Sequence, residues 1–276
     1  MDIQKVMING LPGNVARMLV SHVISERRFE VVRYSLTGPE ISDATYITDT
    51  DDPIRLVRPE NREDIIDRIK EEHGRFITID FTHPSAVNAN AAFYCKHGLP
   101  FVMGTTGGDR DALEETVFAS TISAVIAPNM AKQIVGLQAM IAYAADNFPG
   151  LFNGYSMAVK ESHQATKADT SGTALAMVDH FKRLGVAFEA QEIVKVRTPE
   201  EQKIMGVPEG HISGHGWHTY TLVSPDENAT FQFVHNINGR DIYAHGTFDA
   251  VSFLSEKLIL GETGKVFSMV DVLKGA

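Results

Sequence analysis

Lys5-Val-Met-Ile-Asn-Gly10-Leu-Pro-Gly13-Asn-Val-Ala16 decides how this chain begins to fold. Lys5 to Asn9 reads as a short buried strand, and Val15, Met18, Leu19 and Val23 then recur at helical spacing. Strand, glycine turn and helix together open a βαβ unit of the kind that binds a dinucleotide. The glycines let the backbone approach a pyrophosphate, which the helix N-terminus holds. Ala16 stands where a third small residue is wanted for close helix–strand packing. Any tight βα turn also uses glycine, so the assignment needs the elements that follow.

Phe29 to Leu36 reads as the second strand, and Ala44 to Val57 as a hairpin with a type I turn at Thr50-Asp-Asp-Pro53. Asn61 is the expected N-cap of a helix reaching about His73. Strands at Phe76–Phe81, Pro100–Met103 and Ser123–Ala127 then alternate with helices at Ser85–His97 and Asp109–Ser120. This alternation predicts an α/β fold with a Rossmann-type, doubly wound parallel sheet. Ligands bind such sheets beyond the carboxyl ends of the strands, where Gly10, Thr82, Gly104 and Asn129 fall. Around the second strand, Arg33-Tyr-Ser35-Leu-Thr37 carries no acid before Glu40. An arginine and two hydroxyls suit a 2′-phosphate better than a free ribose, which favours NADPH over NADH; Arg33 facing solvent from an edge is the alternative.

The texture changes after the predicted helix at Lys132–Phe148. A strand over Tyr155–Lys160 and a helix over Thr173–Leu184 precede predicted strands at Glu192–Val196, Trp217–Val223, Thr230–Asn236 and Ile242–Asp249. A last helix, Asp249–Leu260, is expected to return to the first domain. The expected organisation is therefore a dinucleotide-binding domain over residues 1–129, completed by 248–276. Residues 130–247 form an α+β domain with a mixed or antiparallel sheet, for substrate binding and oligomerisation.

Between the strand and helix of that second domain lies Glu161-Ser-His-Gln-Ala-Thr-Lys-Ala-Asp-Thr-Ser-Gly-Thr173. A carboxylate held there meets Lys167, the Ser171 and Thr173 hydroxyls and free N–H groups, and Gly172 permits close backbone approach. His163, with an ordinary pKa near ~6.5, suits proton delivery at neutral pH. The bland alternatives are a surface His–Lys pair, N-capping by Ser171 or Thr173, and Asp169 facing the helix dipole. His211, His215 and His218 invite a zinc reading, but no cysteine or acid completes a ligand set in the sequence, and no metal is expected.

The 276-residue chain carries a formal net charge of −10 and a pI near 5.5, which argues against nucleic acid or an anionic membrane as partner. No apolar run approaches the ~18–20 residues that span a bilayer. The single cysteine, Cys95, falls in a predicted helix as a packing thiol and fits a reducing compartment. The first strand starts about three residues in, leaving no visible targeting peptide. A cytoplasmic protein is the expectation, although a trimmed organelle protein looks the same.

Several of these segments resemble the dihydrodipicolinate reductase family over nearly the full length, its plant-type branch most. They are Asn9-Gly-Leu-Pro-Gly13, Pro100-Phe-Val-Met-Gly-Thr-Thr-Gly-Gly-Asp109, Glu161-Ser-His-Gln-Ala-Thr-Lys167, Ser171-Gly-Thr-Ala174, Ser213-Gly-His-Gly216 and Gly239-Arg-Asp-Ile-Tyr243. The resemblance implies reduction of 4-hydroxy-tetrahydrodipicolinate to tetrahydrodipicolinate on the diaminopimelate route to lysine, with hydride from NAD(P)H to ring C4 and loss of water. It implies His163 and Lys167 as catalytic residues, His163 as general acid and Lys167 binding substrate and sharing in proton donation. The substrate set adds Thr106, Gln164, Ser171, Gly172, Thr173 and, as a second charge, Arg240. On the cofactor side stand Gly10, Pro12, Gly13, Asn14 and Val15 in the first turn, with Arg33 and Ser35. Phe81, Thr82, Gly104, Thr105, Thr106, Pro128, Asn129 and Met130 complete that side at the later strand ends.

Gln164 replaces a second histidine of the bacterial branch. The loop before Ser171 is one residue shorter and lacks a proline, and Ala16 stands for the usual third glycine. A homo-oligomer, dimer or tetramer, is implied. Two other readings differ in class: a Rossmann dehydrogenase for another small dicarboxylate or semialdehyde, which predicts a changed Ser-Gly-Thr turn, and a non-catalytic nicotinamide sensor, which predicts loss of His163 or Lys167.

Overall fold

Six parallel strands form the sheet at the centre of the first of two units, in the spatial order Val266–Phe267 (β13), Ala124–Ile126 (β8), Phe101–Met103 (β7), Ile77–Asp80 (β6), Gln4–Asn9 (β1) and Phe29–Val31 (β2). The computed structural model describes residues 3–25 and 28–275. Residues 1–132 with 243–276 make one compact unit and residues 133–242 the other.

In the first unit, β1 (Gln4–Asn9) leads into α1 (Asn14–Ser25) and β2 (Phe29–Val31). The expected second strand is broken at Val32 and Arg33. Its second half, β3 (Tyr34–Leu36), leaves for a small sheet with β4 (Thr45–Ile47) and β5 (Pro53–Val57), in the order β3-β5-β4. The hairpin turns two residues earlier than expected, closing from Thr48 to Asp52 with Asp51 at φ 59°. Helix α2 (Arg62–His73) follows a short 3-10 turn over Pro59–Asn61, so Asn61 already has helical dihedrals and its side chain caps nothing. Pro59 sets that turn and displaces the cap.

Next come β6 (Ile77–Asp80), α3 (Val87–Lys96), β7 (Phe101–Met103), α4 (Arg110–Phe118) and β8 (Ala124–Ile126). Every residue of β6, β7 and β8 is buried, as parallel strands covered on both faces require. Asp109 caps α4 by accepting the Ala112 N–H. Half-buried Cys95 packs on this core, and burial pushes its thiol pKa up, as suits a packing thiol.

The second unit comprises α5 (Lys132–Asn147), β9 (Ser156–His163), α6 (Gly172–Arg183), β10 (Val194–Val196), α7 (Pro199–Met205), β11 (His215–Val223) and β12 (Thr230–Asn238). Its sheet runs β10-β9-β11-β12; β9 and β10 are parallel and the other pairs antiparallel. Met177, Val178 and Phe181 of α6 pack with Val159 of β9 and with Tyr220 and Leu222 of β11.

The chain then forms α8 (Asp241–Ile259), β13 (Val266–Phe267) and α9 (Met269–Lys274). The strand expected over Ile242–Asp249 is instead the start of α8. Ala244, Thr247, Phe248 and Val251 are buried at helical spacing, which overrides the strand-forming look of the segment. A Cβ on Gly246 lies 1.8 Å from the Met130 carbonyl oxygen, so glycine lets this helix approach that backbone. No helix of the described residues is long and apolar enough to cross a membrane.

Candidate active site

Strand alternation builds the polar cluster of the second unit. Val159, Glu161 and His163 share one face of β9, and the register sets Tyr220, His218 and Gly216 of β11 opposite them. His235 and Phe233 of β12 continue the same rows beside His218 and Tyr220. The face covered by α6 thus changes from apolar to polar within two register steps. The strand was expected to end at Lys160, but β9 runs on to His163, so this histidine sits on a strand and only Gln164–Thr170 form the connecting loop.

Glu161 is fully buried and forms an ion pair with Arg197 through Oε1. Its Oε2 accepts the Ser171 N–H at 3.0 Å. The Arg197 guanidinium also donates to the carbonyls of Lys167 at 2.7 Å and of Glu161 and Asp169 at 3.3 Å. One buried charge pair therefore ties β9, the loop and the start of α6 together. Glu161 is foreshadowed by a polar residue at an inward position; no sequence signal marks Arg197, 36 residues away.

Ser171 occupies the N-cap position of α6, yet its side chain makes no capping bond. Beside it, a Cβ on Gly172 meets nothing within 4 Å, leaving the first turn open to a ligand. The Lys167 Nζ lies 2.9 Å from the exposed Asp169 carboxylate, a weak surface pair that another carboxylate can displace. The side chains of Gln164 and Thr173 take no part in this bonded network, and the guanidinium of Arg240 lies 3.8 Å from a Cβ placed on Gly214.

His163 does not have the ordinary pKa assumed from sequence. Burial pushes it down to about 4; Glu161 opposes that shift, and Arg197 and Lys167 add to it. Burial also lowers His218 to about 2 and His235 to about 4. At neutral pH the cluster is a set of uncharged imidazoles, and a dianionic ligand nearby raises the His163 pKa.

Of the three histidines in the zinc reading only His218 joins a possible donor set among the described residues, with Glu161 and His163, the donor atoms lying within 4.8 Å of one another; His215 instead bonds the Ser162 hydroxyl and the His211 carbonyl. Both oxygens of Glu161 are engaged, His163 and His218 bond each other, and the Arg197 guanidinium disfavours a second cation. The donor set is that of a hydrogen-bonded network.

In the first unit, Gly10 has φ 107°, and a Cβ there falls 2.1 Å from the Phe81 carbonyl oxygen, so only glycine fits. Pro12, Gly13 and Asn14 are exposed at the start of α1, whose first turn carries no acid; this suits a bound pyrophosphate. Ser35, expected to face the cofactor, is fully buried and accepts the Leu11 N–H at 3.4 Å. Thr37 likewise donates to the Leu11 carbonyl at 2.6 Å, so both hydroxyls brace the glycine turn. Arg33 pairs with Asp52 at 3.0 Å and lines a 440 Å³ groove with Tyr34, Arg55, Glu72 and His73.

Asp80, fully buried at the end of β6, is a hub that sequence reasoning missed. It accepts from Tyr94, Asn90, Thr82 and Thr105 at 2.6–3.1 Å and so braces the loops after β6 and β7. Asn129 accepts the Ala131 N–H, Met130 is buried, and Thr106 stands exposed.

Comparison with known proteins decides the family. Models described as "Dihydrodipicolinate reductase, N-terminus" and "Dihydrodipicolinate reductase, C-terminus" match residues 4–130 and 134–273. The chain belongs to the dihydrodipicolinate reductase family. The Arabidopsis thaliana protein named 4-hydroxy-tetrahydrodipicolinate reductase 1, chloroplastic, is 44% identical over 98% of this chain and 77% of its own. A Herminiimonas arsenicoxydans 4-hydroxy-tetrahydrodipicolinate reductase is 27% identical over 99% of each chain. A dipicolinate-bound dihydrodipicolinate reductase from Paenisporosarcina sp. TG-14 shares the fold, with TM-score 0.67 and 19% identity over 97% of this chain and 98% of that one.

Membership of the plant branch corrects the cytoplasmic expectation. Four plant relatives, from Oryza sativa subsp. japonica and Arabidopsis thaliana at 42% to 44% identity, are all named chloroplastic.

Proposed function

We propose that the chain reduces 4-hydroxy-tetrahydrodipicolinate to tetrahydrodipicolinate in diaminopimelate and lysine biosynthesis, in a plastid. The observation that carries this reading is the β9–α6 segment. A buried Glu161–Arg197 pair holds Lys167 and an uncapped, open helix N-terminus beside an imidazole. Those parts suit a small dicarboxylate.

Lys167 exchanges Asp169 for a substrate carboxylate, and the N–H groups at Gly172 and Thr173 with the Ser171 hydroxyl take its oxygens. Gln164, Thr106 and Arg240 belong to the same reading as further substrate contacts. The 4-hydroxyl leaves with a ring proton as water, and a reduced nicotinamide, when bound, would supply the hydride to C4 of the resulting unsaturated ring. His163, charged as the dianion arrives, returns a proton to the ring and Lys167 shares in that role. The glycine turn with Val15, the loops after β6 and β7, and Pro128–Met130 hold the dinucleotide. NADPH is the favoured form, because no acid lies between Arg33 and Pro39 to bind a ribose diol. Both units carry parts of the work, the 133–242 unit also serving oligomerisation as a dimer or tetramer.

The intact Ser171-Gly-Thr173 turn and the presence of His163 and Lys167 weigh against another substrate and against a sensor. The test is NAD(P)H oxidation coupled to a dihydrodipicolinate synthase, with each cofactor in turn. Oxidation that depends on the synthase product is expected; no oxidation with either cofactor overturns the assignment.

A further inference from the structure

His218 is 2% exposed on β11, opposite Glu161 in the register. The hydrogen-bond directions around it follow from one fixed point. The His215 carbonyl only accepts, so His163 Nδ1, 3.2 Å away, carries a proton. In the neutral ring Nε2 is then an acceptor, and His218 Nε2, at 3.0 Å, donates to it. Nδ1 of His218 is left to accept the Tyr220 hydroxyl at 3.0 Å. Gly216 makes room for this arrangement, since a Cβ there lies 3.2 Å from Cε1 of His163. His235 packs on His218 with ring centroids 4.5 Å apart, and neither of its nitrogens has a protein partner. The charged and titratable groups facing His163 are thus Glu161 on its own strand, Lys167 from the loop, Arg197 after β10, and His215 and His218 on β11. Tyr220 and His235 act on it through His218.

We propose that His218 is a positioning residue for His163: it holds the imidazole by Nε2 in one rotamer and one tautomer, and Tyr220 fixes His218 in turn. The order is that of a reacting group, its orienter, and a third group that sets the orienter. Protonation of His163 at Nε2 puts two N–H groups head to head. The neutral ring is therefore held, and the charged ring is released toward substrate. The kinetic consequence rests on His163 being the proton donor; the tautomer assignment does not, so the two fail separately.

The test pairs nitrogen-15 imidazole spectra and an NMR titration of the ligand-free protein with steady-state kinetics. Wild-type spectra should show His163 protonated on Nδ1 and His218 on Nε2. Tyr220→Phe removes one hydroxyl and should give a mixture of His218 tautomers. His218→Leu should raise the His163 midpoint, because the donor to its lone pair is gone. It should also lower kcat about 10-fold or more with KM for substrate within about 2-fold. His218→Gln keeps an N–H in place and should restore kcat to within a few-fold of wild type. A purely structural His218 would move thermal stability alone. The proposal is overturned if wild-type His218 is protonated on Nδ1. It is equally overturned if folded His218→Leu, or Tyr220→Phe where that variant does not fold, keeps the wild-type tautomers, titration and kcat.

Discussion

Replacing Arg197 with methionine tests how the β9–α6 segment is held. The substitution keeps an unbranched apolar stem and deletes the guanidinium opposite a carboxylate with 0% side-chain exposure. Glu161 then retains one charge-assisted bond, from the Ser171 N–H, and has no counter-charge in contact. Breaking a buried pair from one side costs about 3–5 kcal/mol, a large part of a typical total of about 5–15 kcal/mol. The four carbonyls that lose Arg197 belong to Glu161, Lys167, Asp169 and its own neighbour Val196, two of them in the connecting loop. Urea unfolding of Arg197→Met, Glu161→Gln and the double variant gives the coupling directly. The double variant should cost less than the sum of the singles by about 2 kcal/mol, because a neutral glutamine in place of Glu161 no longer needs a cation. KM for the substrate should rise in Arg197→Met as Lys167 and Ser171 lose their anchor. A single variant within about 1 kcal/mol of wild type, or strict additivity in the double, refutes the buried pair as the organiser of the segment.

Acid should weaken the fold in a definite window. His163, His218 and His235 are held by burial at about 4, 2 and 4, below the ordinary value of 6.5, so the unfolded chain binds their protons first. Their contribution is complete above pH 6.5 and is lost as pH falls toward 4, by up to about 1.4 kcal/mol per pH unit for each imidazole. Urea midpoints that stay flat across that window would contradict the buried neutral cluster. Gly10→Ala places a Cβ in the Phe81 carbonyl at a positive φ; strain alone costs about 1–3 kcal/mol, visible as a lower unfolding midpoint with weakened dinucleotide binding. An unchanged midpoint contradicts the packing described for that turn. Arg33→Asp should raise the NADPH Kd more than the NADH Kd, and equal losses remove Arg33 as a reader of the 2′-phosphate.

Local pattern made the first unit legible. Apolar runs, glycine turns and intervening helical periods are properties of adjacent residues, and they locate β1, β6, β7 and β8 to within a residue at each end; the two-residue edge strand β13 of the same sheet carries too short a pattern and was not foreseen. Two features escaped because tertiary packing decides them. Ile242–Asp249 has the look of a strand, but Ala244, Phe248 and Val251 find their core only as a helix, with Gly246 against Met130. The second strand splits at Val32 and Arg33 because Leu36 and its neighbours pair with β5.

At the site, the sequence pointed to His163, Lys167 and the Ser171 turn because thirteen consecutive residues hold them. Arg197 and His218 were not legible as parts of it, since β10 and β11 bring them to Glu161 and His163 across 36 and 55 residues. Their burial, which moves the His163 pKa, was equally out of sight. Ser35 shows the converse error. Its position past the glycine turn is that of a cofactor contact, but its hydroxyl is buried under Leu11.

The most direct test of the central claim is steady-state NAD(P)H oxidation by His163→Gln beside wild type, with substrate generated by a dihydrodipicolinate synthase. The account predicts kcat reduced by roughly 10²–10⁴, with KM for substrate largely kept and the fold intact. Wild-type turnover in that variant would contradict the role of His163 as the proton donor.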